Sequence, residues 1–346
     1  MSEGDPTAAT DATHPSFRIV VPTRRRPDLL KRLLARLAPQ LVRLPLFHLV
    51  VVNDGSHDDR YDAVISGVAT PITYLRLARG LGPGPARQAG FAGASEDYLV
   101  STDDDCVPPP DWLDRLLALA TTYPDVDMFA GSTYPIDVPA GWVLREIAHV
   151  PNATPSPVVD DPHLITAVTA NAMYRRELFE KAGGFADDMT GATEDCFITQ
   201  KILAAGGSWL VDLHLFTGHR AVQTIRELRT KFFGYGFGGA QYVVREQDWR
   251  VAAMHTDGSL RASLTASWSS TRAQWNKPEN RAAAAPRRCI RCILTLIARL
   301  SYERGWRRGL KHFARRYGRQ RPATPRLADR YNDYCTEIVL KRRSAL

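Results

Sequence analysis

Short apolar runs alternate with segments that carry apolar residues at helical spacing over residues 17–130. The runs are rich in valine and leucine, as expected of strands that are covered on both faces of a sheet. The predicted strands are residues 17–22, 47–54, 72–77, 98–102 and 126–130. The predicted helices between them are marked by the repeat Leu29, Leu30, Leu33, Leu34 and Leu37, and by residues 86–94 and 111–123. Strands that alternate with helices at this pace predict a parallel sheet with right-handed crossovers.

The pattern becomes less regular in the second half of the chain. Residues 133–162 are rich in proline and aspartate and are predicted to form mainly loop. Further predicted elements are strands over residues 166–174 and 209–216, and helices over residues 177–181 and 194–205. Beyond Thr224 the pattern is helical and basic.

Positive charge is concentrated at the C-terminal end. The 346 residues contain 45 Lys and Arg against 37 Asp and Glu, a formal net charge of +8. Residues 281–346 alone contain 18 Lys and Arg against 4 Asp and Glu, so the remainder is mildly acidic. This distribution argues against nucleic-acid binding by the main body. Three interpretations of the basic region stay open: a solvated helical cap, an oligomer contact, or a patch for peripheral contact with acidic membranes.

The ends of the chain and the cysteines indicate a cytoplasmic protein. Residues 1–16 are small and polar, lack the apolar core of a signal peptide, and are predicted to form a disordered tail. No uninterrupted apolar run is long enough to span a bilayer. Cys289 and Cys292 have C-x-x-C spacing, but no second ligand pair lies nearby, so we expect reduced structural cysteines and no zinc.

Three consecutive carboxylates follow an apolar strand in the segment LVSTDDDCVPPPDW, residues 99–112. Like charges repel, and an unpaired charge is costly to bury. A hard divalent cation, Mg²⁺ or Mn²⁺, would relieve this repulsion, since both prefer oxygen ligands and commonly share them with substrate phosphates. Asp54 also ends a strand, and ligands bind at the carboxyl ends of such strands, so we expect Asp54 and the aspartate triplet in one cleft. A solvated acidic turn is the alternative.

Five segments in order give the chain a resemblance to the family 2 glycosyltransferases of the GT-A fold. They are IVVPTRRRPDLLKRLL, VVVNDGSHDD, RGLGPGPARQAGFAGA, YLVSTDDDCVPPPDWL and GGFADDMTGATEDCFITQKILAAG. The resemblance covers residues 17–220. It implies an α/β fold of the GT-A type, with a Rossmann-like, mostly parallel sheet flanked by helices. With the basic pattern that follows, the predicted units are a tail (1–16), a GT-A domain (17–223) and a mostly helical, basic C-terminal extension (224–346).

The resemblance implies a nucleotide site built from four of these segments. Asp54 would accept hydrogen bonds from the base or ribose, and a turn residue before Gly55 is the alternative. Arg87 would contact phosphate oxygens with its guanidinium, and an exposed helical arginine is the alternative. The implied nucleotide-binding residues are Pro22, Thr23, Arg25, Asp54, Gly84, Arg87, Asp103 and Asp104.

A metal site and a catalytic carboxylate pair are also implied by the resemblance. Asp105 is the implied metal ligand, although three successive aspartates leave the register of the D-x-D motif open by one residue. His219, after the last predicted strand, is either a further metal ligand or a structural histidine. In the pair Glu194 and Asp195, Asp195 would take the proton of an acceptor hydroxyl while Glu194 orients. An ordinary acidic first turn of a helix is the alternative.

Together these residues predict an inverting transferase that uses Mg²⁺ or Mn²⁺. The expected donor is a nucleoside-diphosphate sugar, with UDP as the commonest nucleotide of the family, and the acceptor is a small molecule or a glycan. One alternative is a sugar-phosphate nucleotidylyltransferase, which needs a basic glycine-rich opening loop that VPTRRRPD lacks. The other is a non-catalytic module that binds nucleotide sugars. Residues 229–238, RTKFFGYGFG, are expected to form a lid with glycine as its hinge.

Overall fold

A mixed β-sheet lies at the centre of the computed structural model, which describes residues 14–154, 157, 166–189, 192–247, 256–319 and 342–344. The predicted N-terminal tail lies largely outside the described residues. The strands are β1 (Phe17–Thr23), β2 (Phe47–Asn53), β3 (Ile72–Arg76), β4 (Tyr98–Thr102), β5 (Cys106–Val107), β6 (Met128–Ile136), β7 (Asn171–Arg175), β8 (Trp209–Arg220) and β9 (Arg342–Ser344). Their order across the sheet is β3-β2-β1-β4-β7-β6-β8-β5, and β9 pairs with β8.

Most strand pairs in this sheet are parallel, as predicted. β1 pairs in parallel with β2 and β4, β2 with β3, and β8 with β6 and β9. The expectation fails at β7, which runs antiparallel to both of its neighbours, β4 and β6. The short strand β5 is also antiparallel to β8. An antiparallel neighbour needs no helical crossover, so the alternation of strand and helix is lost in this half of the chain.

Helices flank the sheet and continue beyond it. They are α1 (Pro27–Arg43), α2 (Arg60–Ser66), α3 (Pro83–Phe91), α4 (Trp112–Thr122), α5 (Trp142–Arg145), α6 (Arg176–Lys181), α7 (Glu194–Ala204), α8 (Ile225–Glu246), α9 (Leu260–Asn276), α10 (Pro278–Arg281) and α11 (Ala285–Tyr317). A 3₁₀ turn over Glu146–His149 follows α5. None of the described helices combines the length and the apolar character needed to cross a membrane.

The central strands are buried on both faces, as their continuous apolar runs predict. Ile19 and Val21 of β1 pack in one cluster with the leucines of α1. Val20 belongs to a second cluster, which contains Phe179 and Ile202 from helices α6 and α7. Successive side chains of a strand point to opposite faces, so β1 carries both layers of the core.

Helix α8 connects the sheet domain to the long C-terminal helix α11. A Cβ atom at Gly236 would collide with the carbonyl oxygen of Tyr302 in α11. A Cβ at Gly238 would collide with the carbonyl oxygen of Ala192, which lies just before α7. The two glycines therefore allow α8 to pack closely against α11 and against the segment just before α7. The helical character predicted beyond residue 224 is present in the described residues 225–247 and 256–319.

Three predicted boundaries are wrong, and one of them is the strand predicted over residues 166–174, which begins only at Asn171 as β7. Residues 133–162 are not mainly loop in their first part, because β6 continues to Ile136 and is followed by α5 and the 3₁₀ turn. β8 continues to Arg220, since its last residues pair with β6 on one side and with β5 on the other. This pairing joins segments that are distant in sequence, so a local pattern does not reveal it. As a consequence, His219 lies within a strand.

Candidate active site

The end of β8 brings His219 to the turn that carries the three aspartates. Residues 103–105 connect β4 to β5, and Cys106 of β5 pairs with His219. The Nε2 atom of His219 lies 3.4 Å from Oδ1 of Asp105 and 3.9 Å from Oδ2 of Asp103. One potential ligand atom from each of these three residues lies within 4.8 Å of the others. Two carboxylates and one imidazole thus converge at the end of the sheet.

This donor set fits a hard divalent cation. Carboxylate oxygens suit both Mg²⁺ and Mn²⁺, and an imidazole nitrogen is compatible with Mn²⁺. The Nδ1 atom of His219 lies 3.0 Å from the carbonyl oxygen of Arg220. With Nδ1 as the donor of that hydrogen bond, Nε2 is free to bind a metal. The geometry groups Asp103, which the resemblance implied for the nucleotide, with Asp105 and His219.

Asp104 makes its contacts elsewhere, with residues at the end of β1. Its Oδ2 accepts a hydrogen bond of 2.8 Å from the Thr23 hydroxyl, and its Oδ1 accepts one of 3.2 Å from Arg26 Nη1. Burial raises the pKa of Asp104 to about 7, against the opposing effect of Arg26. The two aspartates of the D-x-D motif are therefore Asp103 and Asp105, with Asp104 as the residue between them. This fixes the register that the sequence left open.

Two arginines compensate the charge of the aspartates. Arg26 Nη1 donates a hydrogen bond of 2.8 Å to Oδ2 of Asp105. Arg87 donates through Nη2 to Asp103. Burial alone would raise the pKa of Asp103, but Arg87 and His219 outweigh it and hold that pKa below its ordinary value. The three adjacent carboxylates are thus tolerated because cationic side chains surround them.

Arg26 lies in the loop after β1 and contacts Asp104 and Asp105. Sequence reasoning missed it. Arg25, the implied nucleotide contact, is exposed and has a left-handed backbone with φ of 57°. Its backbone N–H donates a hydrogen bond of 2.8 Å to the hydroxyl of Ser56. Pro22 is half-buried in β1, next to Thr23. Three consecutive arginines give no local signal for which of them faces the site.

Arg87 lies at the centre of the site and links its two halves. It is only 2% exposed, so the alternative of an exposed helical arginine is wrong. Its Nη1 donates a hydrogen bond of 2.7 Å to Oε1 of Glu194, while Nη2 contacts Asp103. Both terminal nitrogens are therefore engaged by carboxylates. Its Nε atom is buried and has no hydrogen-bond partner among the described residues.

Glu194 and Asp195 begin α7 and stand in different electrostatic environments. Glu194 is buried, pairs with Arg87, and accepts a hydrogen bond of 3.1 Å from the Thr193 N–H. Asp195 is half-buried, and its Oδ1 accepts a hydrogen bond of 2.8 Å from the Cys196 N–H. Burial and the adjacent Glu194 raise the pKa of Asp195 to about 7. No ion pair with Asp195 occurs in the part of the chain that the structure describes.

The backbone around this pair is tightly constrained. Thr193 has a φ of 114°, a conformation that costs a non-glycine residue ~1–3 kcal/mol and is concentrated at functional sites. A Cβ at Gly84 would lie 3.1 Å from the Cβ of Glu194 and 3.2 Å from the carbonyl oxygen of Met189. Glycine at position 84 therefore lets α3 approach the start of α7 closely.

Asp54 anchors the glycine-rich loop that precedes α3. Its two carboxylate oxygens accept hydrogen bonds from the backbone N–H groups of Leu81 (2.6 Å) and Gly82 (3.1 Å). Arg24 Nη1 lies 4.0 Å from Oδ2 of the same carboxylate. Asp54 is buried at the end of β2, on the same side of the sheet as the aspartate turn, as predicted. Its interactions thus extend beyond those of a simple turn residue.

Residues 18–183 match the family model described as Glycosyl transferase family 2. This segment, just under half of the chain, thus has the sequence pattern of family 2. The match contains Asp54, Arg87 and the aspartate turn and ends before the Glu194–Asp195 pair and His219.

Two named relatives of this chain are transferases. The pre-mycofactocin glycosyltransferase of Mycobacterium tuberculosis is 22% identical over 263 residues, which cover 74% of this chain and 54% of that protein. The undecaprenyl-phosphate 4-deoxy-4-formamido-L-arabinose transferase of Pseudomonas savastanoi pv. phaseolicola is 33% identical over 112 residues, which cover 31% of this chain and 33% of that protein. The chain therefore spans about half of the first relative and a third of the second.

A solved structure confirms the predicted fold. The mannosyltransferase PcManGT from Pyrobaculum calidifontis, in complex with GDP-Man and Mn²⁺, is similar with a TM-score of 0.55 and 18% sequence identity. The similarity covers 85% of this chain and 88% of that chain. The chain thus has the GT-A fold, followed by a helical C-terminal region.

Helix α8 adds two side chains to the site that sequence reasoning missed. Lys231 donates a hydrogen bond of 2.8 Å to the carbonyl oxygen of Ala153. Burial lowers its pKa, against the opposing attraction of Asp105 and Asp103. Tyr235, one turn later, has its pKa raised by burial and then by the charge of Asp195. Segment 229–238 lies within the continuous helix α8, so no break in the helix marks a hinge at its glycines.

A cavity of about 290 Å³ opens beside Tyr235, between α8, α9 and α11. Its lining is largely apolar, with Phe232 and Tyr302 among its walls. Two buried polar atoms of lining residues, Oε1 of Gln274 and Nε of Arg299, have no hydrogen-bond partner among the described residues. Tyr235 lines this cavity, and the charges of Asp195 and Glu194 act on its hydroxyl.

Proposed function

We propose that this protein transfers a sugar from a nucleoside-diphosphate sugar to an acceptor hydroxyl, with inversion at the anomeric carbon. The observation that carries the proposal is the link through Arg87 between two groups of carboxylates. One group, Asp103 and Asp105 with His219, suits a diphosphate-bound cation. The other, Glu194 and Asp195, suits proton transfer. A glycosyl transfer needs both functions a few ångströms apart.

The donor half would use the aspartate turn and the loop after β2. Asp103, Asp105 and His219 would hold Mg²⁺ or Mn²⁺, and the similar mannosyltransferase structure contains Mn²⁺. Such a cation neutralises charge that develops on a departing diphosphate. Asp54 would hold the glycine-rich loop in place beside the nucleotide. UDP and GDP are the nucleotides to test first, UDP from the resemblance and GDP from the GDP-Man of the similar structure.

Asp195 would act as the catalytic base. A carboxylate with a pKa near 7 and partial exposure can accept the proton of an acceptor hydroxyl. The acceptor oxygen then forms a bond to C1 as the bond from C1 to the diphosphate oxygen breaks, through an oxocarbenium-like transition state. Attack from the face opposite the leaving group inverts C1. Glu194, fixed by Arg87 and the Thr193 N–H, would orient the start of α7.

The acceptor would approach Asp195 from the side of Tyr235, where the cavity between α8, α9 and α11 provides space for a small molecule or the end of a glycan. We assign catalysis to residues 17–223 and this side of the acceptor site to residues 224–346. Cys106, Cys196, Cys289 and Cys292 form no disulfide bond within the described residues, which supports a cytoplasmic enzyme.

The test is donor turnover without an added acceptor. Purified protein is incubated with radiolabelled UDP- and GDP-sugars and Mn²⁺, and slow release of free sugar and nucleoside diphosphate is expected. A nucleotidylyltransferase would instead release pyrophosphate from a nucleoside triphosphate and a sugar phosphate. A binding module would retain the donor intact. Either of these two outcomes contradicts the proposed transfer.

A further inference from the structure

Helix α9 carries its apolar side chains on the outside. Leu260, Leu264, Trp268 and Trp275 are 60%, 52%, 68% and 40% exposed. Their spacing of four, four and seven residues places them on one side of the helix. We call this set the α9 stripe. The residues of α9 that are buried are polar, namely Ser263, Ser267 and Gln274. The usual arrangement of a surface helix is thus inverted.

Hydrogen bonds hold the polar side of α9 against the protein. The Ser263 hydroxyl donates a hydrogen bond of 2.9 Å to Glu303 of α11. The Gln274 amide donates one of 2.9 Å to the carbonyl oxygen of His149 in the 3₁₀ turn. Turning the helix to bury its leucines would break these bonds and leave buried polar groups unpaired. The outward direction of the α9 stripe is therefore built into the packing.

A contiguous exposed stripe of leucine and tryptophan indicates an interaction surface. Helix α11, which packs along α9, adds exposed Ile293 and Leu300. The guanidinium of Arg288 lies 3.7 Å from the ring centroid of Trp275, so a cation stands directly at one end of the α9 stripe. The surface is thus both apolar and basic.

Cations outnumber anions beside the stripe, where the exposed carboxylates include Asp257 just before α9 and Glu279 in α10. Helix α9 contains no Asp or Glu, and its two arginines, Arg261 and Arg272, are exposed. The acidic residue of α11, Glu303, is buried and pairs with Arg299 at 2.7 Å. The exposed cations of α11 are Arg287, Arg304, Arg308, Lys311, Arg315 and Arg316. Tryptophan and leucine beside arginine and lysine are the composition of a helix that lies in a membrane interface.

We propose that the α9 stripe and its basic surroundings bind the surface of a membrane that contains acidic lipids. A second copy of this chain is the competing occupant, but an isologous contact would set one basic surface against another. Acidic headgroups complement these cations. This surface is separate from the carboxylate site, and the proposal does not depend on the proposed transfer.

The test uses the full chain and vesicles of defined composition. The protein should co-sediment at 0.1 M salt with vesicles that contain 30% phosphatidylglycerol in phosphatidylcholine. Vesicles of pure phosphatidylcholine should bind at least tenfold less protein. Trp268→Ser combined with Leu264→Ser should lower the partition coefficient at least tenfold. Trp142→Ser is the matched control, since Trp142 is 60% exposed on α5 and is not part of the stripe. All these side chains are exposed, so circular dichroism should show unchanged folding.

A second variant tests the charges. Arg261→Gln with Arg272→Gln should weaken binding to the acidic vesicles and flatten its dependence on salt. The proposal is overturned if the acidic vesicles do not bind the protein, or if the stripe variant and the Trp142 control bind equally well. It is also overturned if light scattering shows a dimer that only the stripe variant dissociates, since the second copy would then be the occupant.

Discussion

Arg87 donates to Glu194 at the start of α7 and to Asp103 at the end of β4, and is almost completely buried between them. Asp103 belongs to the candidate metal group, and Glu194 adjoins the candidate base. One guanidinium thus fixes the two halves of the proposed site relative to each other. We therefore give Arg87 a positioning role.

Removal of Arg87 should destabilise the fold strongly. Arg87→Met leaves the carboxylates of Glu194 and Asp103 without their cation, and breaking a buried ion pair costs ~3–5 kcal/mol. Urea denaturation at pH 7.5 should show this loss in the free energy of unfolding. Arg25→Met changes an exposed arginine of the same site and should stay within ~0.5 kcal/mol of the parent. Equal effects of the two substitutions would contradict the bridging role.

The anchoring of the glycine-rich loop by Asp54 can be tested by hydrogen exchange. Asp54→Asn replaces one acceptor oxygen with an NH₂ group, which cannot accept from the backbone N–H of Leu81 or Gly82. We expect faster amide exchange at these two residues, and weaker binding of the donor nucleotide in parallel. Asp59→Asn, an exposed change beyond the same strand, serves as the control. Unchanged exchange in Asp54→Asn would mean that other contacts hold the loop.

The strands and the first helix could be predicted because their signals are local. β1, β2 and β4 are covered on both faces, so each appears as a continuous apolar run, and the leucine repeat marks α1. The antiparallel course of β7 and the extension of β8 depend on partners far away in sequence. His219 was therefore identified as a candidate without the strand pairing that brings it to Asp105.

Within the site, the type of a residue at a strand end indicated its chemistry. The residues that it contacts in space could not be predicted from the sequence. The roles proposed for Asp103, Asp105 and Asp195 follow from their residue type. Arg26 acts through contacts that form only when the loop after β1 meets the aspartate turn. Lys231 and Tyr235 had a usable signal, since a spacing of four residues in a helix places both on one face.

Metal binding should depend on His219. Calorimetric titration with Mn²⁺, without donor, should show at least a ~10-fold lower affinity for His219→Ala. His214→Ala, an exposed histidine of the same strand, should bind like the parent. Chelation by EDTA should remove donor turnover, and added Mn²⁺ or Mg²⁺ should restore it. Normal Mn²⁺ affinity in His219→Ala would assign this histidine a structural role.

The raised pKa of Asp195 predicts a specific pH dependence of stability. Burial and Glu194 raise this pKa to about 7 in the folded chain, while an unfolded aspartate titrates near ~3.9. The folded state therefore binds the proton more tightly than the unfolded state does. The stability that this difference contributes is fully present below pH ~4 and is lost as the pH rises through about 7. Asp195→Asn cannot titrate. Its melting temperature relative to the parent should therefore increase from pH 5 to pH 8, and a constant difference would contradict the raised pKa.

Stereochemistry provides an independent test of the single-base mechanism. Direct displacement assisted by one carboxylate must invert the anomeric centre. NMR of the product formed from a donor of known configuration should show the opposite anomer. Retention would require a covalent or ion-pair route that this assignment of Asp195 does not contain.

The central claim, that Asp195 is the base, is tested most directly by the kcat of Asp195→Asn with donor and Mn²⁺ affinities measured on the same preparation. A positioned general base contributes ~10²–10⁴-fold to rate, so kcat should fall by about that factor while both affinities stay within about twofold. Glu194→Gln should lower kcat less, since Glu194 orients the site. An Asp195→Asn protein that binds donor and metal normally and turns over at close to the parental kcat would contradict the account.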